Sequence, residues 1–185
     1  VSLFHDSRTL GSIIQIDKPV KTGNLRTVLT NIPQDTSLDL NNTREITYQL
    51  LRLLDIVETM QNKYEAVITN PPYLNKMNKA LKEYVKTHYK DYSSDLFSVF
   101  MWHNNNMTVT NGYAAYMTPF VWMFIKSYEN LRKSILNTKL ISSLIQMEYS
   151  AFEEATVPIN TFVLKNSSTS ENGVYIKLSD FKGGM

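Results

Sequence analysis

With 185 residues, 43% of them hydrophobic and 19% charged, the chain has the composition of a folded domain, which excludes a disordered one. Its net charge of +2 favours no particular partner, so any affinity for nucleic acid must come from local basic patches. The absence of cysteine excludes disulfides, thiolate zinc sites and a cysteine nucleophile and fits a reducing cytoplasm, and no apolar run approaches the ~20 residues that span a bilayer.

The first forty residues predict little regular structure. Residues 12–16 suggest a short strand, but Pro19, Gly23 and Pro33 interrupt the chain after it. We therefore interpret residues 1–40 as a poorly defined linker or insertion. The chain begins with valine and ends on Lys-Gly-Gly-Met, and we interpret both ends as cuts in a longer protein.

A long amphipathic helix is predicted next. We expect Asn42 to cap it, with Glu45 three residues on as in a capping box, and Asn62 to end it. One face of this helix is apolar at helical spacing, through Ile46, Leu50, Leu53, Leu54, Val57 and Met60.

Residues 64–69 are an apolar run with β-branched side chains and predict a buried strand. The strand must stop at Asn70-Pro71-Pro72-Tyr73, because two consecutive prolines forbid both a helix and ladder pairing. Helices are predicted over residues 75–89 and 94–107. Ser93 or Ser94 is predicted to cap the second helix, and Asp95 is a further candidate for this cap, with a polar contact near the cofactor as its less favoured role.

The second half of the chain alternates between strands and helices. A turn at Asn111-Gly112 leads into a predicted strand over residues 113–118, and a helix is predicted over residues 121–137. Further strands are predicted over residues 140–147, 161–165 and 174–178. Strands that alternate with helices of this length predict an α/β fold with a mostly parallel sheet flanked by helices.

The Asn-Pro-Pro-Tyr segment follows a strand, and functional groups of an open parallel sheet gather beyond the carboxyl ends of its strands. Asn70 offers an amide oxygen, while Pro71 and Pro72 lack N–H groups and present carbonyl acceptors. Tyr73 offers a flat ring. Together these groups suit a planar ligand that carries an amino group.

An apolar strand followed by Asn-Pro-Pro-Tyr resembles the motif of S-adenosylmethionine-dependent methyltransferases that act on adenine N6 in DNA. In order and spacing the chain resembles the PglX-like enzymes of BREX phage-defence systems and related type II restriction-modification enzymes. The resemblance implies a partial Rossmann-like methyltransferase fold, with residues 41–185 as the C-terminal half of the catalytic domain. It also implies S-adenosylmethionine as cofactor and double-stranded DNA as partner, alongside restriction or phage-defence subunits.

The same resemblance assigns roles to the site. Asn70 and a proline carbonyl of Pro71 or Pro72 would accept both hydrogens of the adenine amine. Tyr73 would stack on the target base, which must be flipped from the duplex because its amino group is unreachable inside it. Methyl transfer would then depend mainly on positioning.

Two further segments resemble motifs of this family. Residues 95–100 look like the motif whose apolar residues line the cofactor adenine pocket, which assigns Leu96 and Phe97 to the cofactor. Residues 151–154 look like the late motif that supplies a second stacking aromatic, which assigns Phe152 to the base.

One departure from the family pattern stands out. The match covers about residues 64–165, and neither the glycine-rich cofactor loop nor the acidic residue that holds the cofactor ribose occurs before it. We expect both to lie upstream of Val1. The resemblance therefore implies a chain that is inactive by itself.

A stripe of lysines follows the candidate loop at spacings of three and four, through Lys76, Lys79, Lys82, Lys86 and Lys90. Such a stripe is usually a solvated face, but beside a base pocket the first four are predicted to contact DNA phosphates. The three histidines have no ligand spacing and predict no metal site, whereas Trp122 and Phe124 are predicted in the core.

Two alternatives remain open. The same loop could bind the side-chain amide of a glutamine in a protein, as in glutamine-N5 methyltransferases. A non-enzymatic reading treats the chain as a degenerate methyltransferase-like scaffold or binding module. The sequence does not distinguish a recognition site, a fused nuclease or an oligomeric state.

Overall fold

A computed structural model describes residues 4–32, 40–147, 157–168 and 171–178. The chain divides into two compact units, one formed by Val1–Ile14 with Lys63–Met185 and the other by Gln15–Asn62. The helices are α1 (Ser7–Leu10), α2 (Thr22–Thr30), α3 (Leu40–Gln61), α4 (Lys79–His88), α5 (Leu96–Met107) and α6 (Glu129–Thr138). The strands are β1 (Tyr64–Thr69), β2 (Thr108–Pro119), β3 (Leu140–Gln146), β4 (Ile159–Lys165) and β5 (Val174–Lys177). The domain boundary predicted at residue 40 stays a prediction.

The smaller unit is a pair of helices, α2 and α3. Arg26 on α2 donates to carboxylates on α3, at 2.7 Å to Asp55 and 2.8 Å to Glu58. The predicted long helix is confirmed, but its predicted cap is wrong. Because α3 begins at Leu40, Asn42 lies inside the helix, and Glu45 accepts from the side chain of Gln49 at 2.6 Å instead of closing a capping box.

The larger unit is built on a five-stranded sheet of order β1-β2-β4-β3-β5. The pairs β1·β2 and β3·β5 are parallel, and β4 pairs antiparallel with both of its neighbours. Four strands therefore run in one direction and β4 alone is reversed, which confirms the predicted mostly parallel α/β sheet. In the part of the chain that the structure describes, every helix is too short or too polar to cross a membrane.

Helices α5 and α6 belong to the larger unit and contribute to its hydrophobic core. The Tyr116 ring stacks on Phe162 at 5.2 Å, and its hydroxyl donates to the carbonyl oxygen of Met101 on α5 at 3.0 Å. Trp122 packs against the same Phe162 ring, as predicted for the core, whereas Phe124 is 65% exposed and the prediction that it is buried is wrong. Each large apolar side chain buried here contributes roughly 2 to 3 kcal/mol of transfer free energy.

Several predicted element limits need correction. Residues 12–16 form no strand, because Gly11–Ile13 is a 3-10 turn. The predicted helix over residues 121–137 is two 3-10 turns followed by α6. β1 has the predicted limits but is not buried: Ile68 is 80% exposed, because among the described strands β1 pairs only with β2.

The predicted turn at Asn111-Gly112 is a bulge inside β2. The register against β1 jumps there, and Asn111 adopts a positive φ of 65°. A Cβ on Gly112 would lie 2.9 Å from the carbonyl oxygen of Glu65 and 3.0 Å from that of Val109. Only glycine fits this close approach of two backbones.

We therefore expect Gly112→Ala to lower the free energy of unfolding by about 1 to 3 kcal/mol, the usual range for an overpacked site. Urea unfolding followed by circular dichroism measures the change. The matched control is Gly23→Ala, where an added Cβ meets nothing within 4 Å and the position is helical, so stability should stay level or rise. Equal stability of the two variants would contradict the proposed crowding.

A half-buried histidine makes the stability of the larger unit depend on pH. Burial, and then the charge of Lys63, lower the pKa of His103 to about 4, while a hydrogen bond to the Ser12 backbone opposes the shift. The Tyr89 hydroxyl lies 3.0 Å from its Nδ1. In the unfolded chain the pKa returns to its ordinary value of 6.5, so the unfolded state binds the proton first as pH falls.

Stability should consequently be level above pH 7 and fall by about 2 to 3 kcal/mol from pH 6.5 towards pH 4. Urea unfolding across this range measures the fall. In the His103→Gln variant, the free energy of unfolding should not show this part of the fall between pH 6.5 and pH 4. An identical slope in the variant would assign the acid sensitivity to other groups.

Candidate active site

The Asn-Pro-Pro-Tyr loop leaves the sheet at the carboxyl end of β1, beside the end of β2. Pro71 is buried, whereas Asn70 is exposed and Tyr73 is 37% exposed. The Tyr73 hydroxyl donates towards Asn70 Oδ1 at 3.1 Å and lies 3.2 Å from the carbonyl oxygen of Met117 on β2. The loop is thus anchored by the buried Pro71. The Asn70 amide and the Tyr73 ring face outward at the ends of β1 and β2.

The residue after this loop is fixed by a carboxylate. Asp95 caps α5, accepting from the backbone N–H of Phe97 at 3.2 Å, and the same oxygen accepts from the backbone N–H of Leu74 at 2.9 Å. Burial raises the pKa of Asp95, while its hydrogen bonds to backbone N–H groups oppose the rise. Because α5 begins at Leu96, the cap predicted at Asp95 is confirmed and the alternative at Ser93 or Ser94 is wrong.

An aromatic group lies beneath the loop. The Tyr73 ring meets the ring of Phe97 edge to face at 6.3 Å, and Phe97 packs against Tyr128 at 5.3 Å. Burial raises the pKa of Tyr73, and burial together with the nearby charge of Asp95 raises the pKa of Tyr128 to about 12. Both phenols therefore stay protonated at neutral pH, and the Tyr73 hydroxyl acts as a hydrogen-bond donor rather than as a base.

The residues predicted to line the cofactor pocket lie directly behind this loop. Leu96 is 7% and Phe97 1% exposed, so both side chains lie in the packed interior behind the loop, where the Phe97 ring meets Tyr73. Their apolar character suits the adenine ring of the cofactor, but they supply no group for its charged methionine or its ribose. The roles of Leu96 and Phe97 as cofactor contacts stay predictions.

Three of the four predicted phosphate-binding lysines share one helix face. Lys79, Lys82 and Lys86 are exposed on α4, and Lys79 makes only a loose ion pair with Glu83 at 4.0 Å. The fourth, Lys76, does not belong to the stripe. Asn78 caps α4 through a 2.9 Å bond from Leu81, so the helix begins after Lys76 and not at the predicted residue 75.

Phe152, the predicted second stacking ring, lies outside the described residues. Two contacts at the site escaped prediction from the sequence: the Met117 carbonyl beside Tyr73, and the bond from Leu74 to Asp95. An Asp before an apolar helical run is a recognisable capping signal, with Ser98 as its partner in a capping box. No sequence signal marks its second bond, which crosses 21 residues.

A separate cavity of about 240 Å³ lies at the other end of the sheet, where α5 and α6 end. Lys63 donates to the Asn106 carbonyl there, and Lys139 follows the end of α6 and donates to Asn166. The Lys63 cation thus lies at the carboxyl end of α5, where it offsets the negative end of the helix dipole. Across the described chain, His, Asp and Glu side chains form no group of three that could hold a metal ion.

Comparison with solved structures identifies the fold. The structure is similar to the methyltransferase subunit of a type I restriction-modification system from Streptococcus thermophilus, with a TM-score of 0.51 and 19% identity over 75% of this chain and 36% of that one. The sheet with its reversed strand is therefore a methyltransferase fold.

The sequence identifies the family. Residues 8–152 match the Eco57I restriction-modification methylases, and the chain belongs to this family. It is 30% identical over 97% of its length to the adenine-specific methyltransferase BrxX of Escherichia coli O9:H4 (strain HS). It is 29% identical over 96% of its length to the adenine-specific methyltransferase PglX of Lacticaseibacillus casei (strain Zhang). The chain spans 15% of the length of each of these relatives.

Proposed function

We propose that this chain is the substrate-facing part of a DNA methyltransferase that transfers a methyl group from S-adenosylmethionine to adenine N6, of the restriction-modification or phage-defence type. The relatives named adenine-specific methyltransferases support this assignment. The observation that carries it is the exposed Asn70 amide beside the proline backbone and the Tyr73 ring, at the open end of two parallel strands.

The groups of the loop would act on the substrate by hydrogen bonding and stacking. Asn70 Oδ1 accepts one hydrogen of the adenine amine, and a carbonyl of Pro71 or Pro72 accepts the other, so the nitrogen lone pair points away from the loop. Tyr73 holds the flipped base by its face, at a gain of roughly 1 to 3 kcal/mol for such stacking. Bound S-adenosylmethionine supplies the electrophilic methyl group.

The loop offers acceptors but no strong base. An amide oxygen and proline carbonyls do not take up a proton at neutral pH, so the proton lost by the amine passes to water. Rate enhancement then comes from holding the amine in line with the methyl group, which is worth several orders of magnitude in well-oriented reactions. This accounts for a stiff loop with two prolines at the reacting position.

The surroundings complete the proposal. In this proposal residues 41–185 are the C-terminal half of the catalytic domain, and Leu96 and Phe97 contribute to the cofactor pocket. Phe152 supplies a second ring that stacks on the base. The face of α4 that carries Lys79, Lys82 and Lys86 contacts DNA phosphates. Because the described residues supply no group for the charged methionine or the ribose of the cofactor, we expect the chain by itself to be inactive.

The test is the destination of the methyl group. The full-length protein is incubated with methyl-labelled S-adenosylmethionine, unmethylated double-stranded DNA and an extract of cellular proteins, and labelled products are identified by mass spectrometry after digestion. Label in N6-methyladenine is the expected result. Label in protein glutamine would identify a glutamine-N5 methyltransferase. If the protein binds the cofactor but labels neither product, the result would support a non-catalytic scaffold.

A further inference from the structure

The residue that follows the Asn-Pro-Pro-Tyr loop is bonded in both directions to the start of α5. The backbone N–H of Leu74 donates to Asp95 Oδ1 at 2.9 Å, and its carbonyl oxygen accepts from the backbone N–H of Leu96 at 3.1 Å. Leu74 itself is exposed, so its side chain does not hold the loop in place. The position of the chain after Tyr73 is therefore set by these two hydrogen bonds.

The acceptor in this arrangement is shared. One oxygen of Asp95 takes the N–H of Leu74 and, at 3.2 Å, the N–H of Phe97 in the first turn of α5. The loop and the helix are thus joined through a single atom. Because Leu74 follows Tyr73 directly, a shift of Leu74 would carry the Tyr73 ring and its bond to Asn70 Oδ1 with it.

The burial of this carboxylate indicates more than a helix cap. Asp95 is only 7% exposed, and burial raises its pKa, which records the cost of removing a charge from water. Capping alone is served as well by serine, which carries no charge to bury. Serine, however, is shorter and would not reach both N–H groups.

We propose that Asp95 is the positioning residue of the Asn-Pro-Pro-Tyr loop, which sets the distance between the reacting amide of Asn70 and the apolar wall of α5. This inference rests on the proposed function for its effect on catalysis, but not for its effect on Leu74. Asp95 performs this role through the position of its side-chain oxygen and not through its charge. In this role Asp95 acts through Leu74 and not directly on the substrate.

The test distinguishes the effect of the helix cap from the effect of the hydrogen bond between Asp95 and Leu74. In the full-length protein, Asp95→Ser keeps a helix cap but withdraws the oxygen from Leu74, whereas Asp95→Asn keeps an oxygen at the same reach without the charge. Ser98→Ala is the matched control, because it removes the other half of the same capping box without touching Leu74. Methylation kinetics give kcat and KM for DNA, and hydrogen–deuterium exchange follows the Leu74 amide.

Asp95→Ser should lower kcat by about 10- to 100-fold, the cost of a displacement near 1 Å, with KM for DNA changed less than about threefold. Its Leu74 amide should exchange at least about tenfold faster, since it loses its acceptor. Asp95→Asn and Ser98→Ala should stay within about threefold of the unmodified protein in kcat and in Leu74 exchange.

Three results would overturn the inference. If the Asp95→Ser variant is as active as the Asp95→Asn variant, the bond to Leu74 does not position the loop. If the Asp95→Asn variant is as impaired as the Asp95→Ser variant, the effect is due to charge. If the Ser98→Ala variant is equally impaired, the effect is due to the helix cap. Accelerated Leu74 exchange only in Asp95→Ser, with no DNA methylation even by the unmodified protein, would instead refute the proposed function and leave the anchor intact.

Discussion

Asn70→Ala should abolish DNA methylation, lowering kcat by about 10²- to 10³-fold, the loss expected on removal of one preorganised group from a reacting centre. The substitution deletes the side-chain acceptor for the target amine and leaves the proline carbonyls in place. Asn70 is exposed, and its only hydrogen bond that the structure assigns is with the Tyr73 hydroxyl. Folding and DNA affinity should therefore change little, and filter-binding or anisotropy titrations check the second point.

The matched control is Asn75→Ala, an exposed asparagine five residues further on in the same segment. It should methylate DNA at the rate of the unmodified protein. A rate for Asn70→Ala within about tenfold of the unmodified protein would contradict the role given to the amide oxygen. Loss of DNA binding in the same variant would instead assign Asn70 to recognition.

The second large effect concerns the lysine face of α4. Replacing Lys79, Lys82 and Lys86 together by glutamine should weaken DNA binding by about 10²-fold at 0.1 M salt, because each lysine bound to a phosphate releases a counterion. The slope of log K against log salt should become less steep by roughly 0.9 for each phosphate that is no longer neutralised. Titrations at several salt concentrations measure both quantities.

A charge-matched control is available in the same chain. Lys18, Lys21 and Lys133 are exposed and lie outside α4, so replacing all three by glutamine removes the same charge. This control should keep nearly full affinity and the original slope. Equal losses in the two triple variants would show that only net charge matters, and no loss in either would make the α4 face a solvated surface.

The position of β1 was predictable from local chemistry, whereas the strand predicted over residues 12–16 does not form. β1 has the predicted limits because its β-branched run stops where two prolines remove the donors that a ladder needs. Burial was less predictable, since it depends on the elements that lie beside a strand. Ile68 and Phe124 look like core residues in the sequence, yet Ile68 remains 80% exposed on β1, and Phe124 remains 65% exposed although the Phe120 ring packs against it.

Helix starts depended on contacts that the sequence does not reveal. Ser93, Ser94 and Asp95 are all good caps, and the choice between them follows from the N–H of Leu74, which reaches Asp95 from another part of the chain. Asn78 likewise caps α4, which begins at Lys79, four residues later than predicted, and this removes Lys76 from the lysine stripe.

The candidate site was predictable in its residue types but not in its contacts. The acceptors and the ring follow from the identities of Asn70 to Tyr73, and the structure brings all four to one sheet edge. The bond from the Tyr73 hydroxyl to Met117 depends on how β2 runs beside β1, which no local pattern encodes. The functional roles of these residues stay predictions.

The most direct measurement is a structure of the full-length protein with DNA that contains its target adenine and an unreactive analogue of the cofactor. The adenine N6 should lie about 3 Å from Asn70 Oδ1 and from a carbonyl oxygen of Pro71 or Pro72, with the Tyr73 ring parallel to the base. A target base that stays stacked in the duplex, or an amine held away from Asn70, would contradict the proposed mechanism.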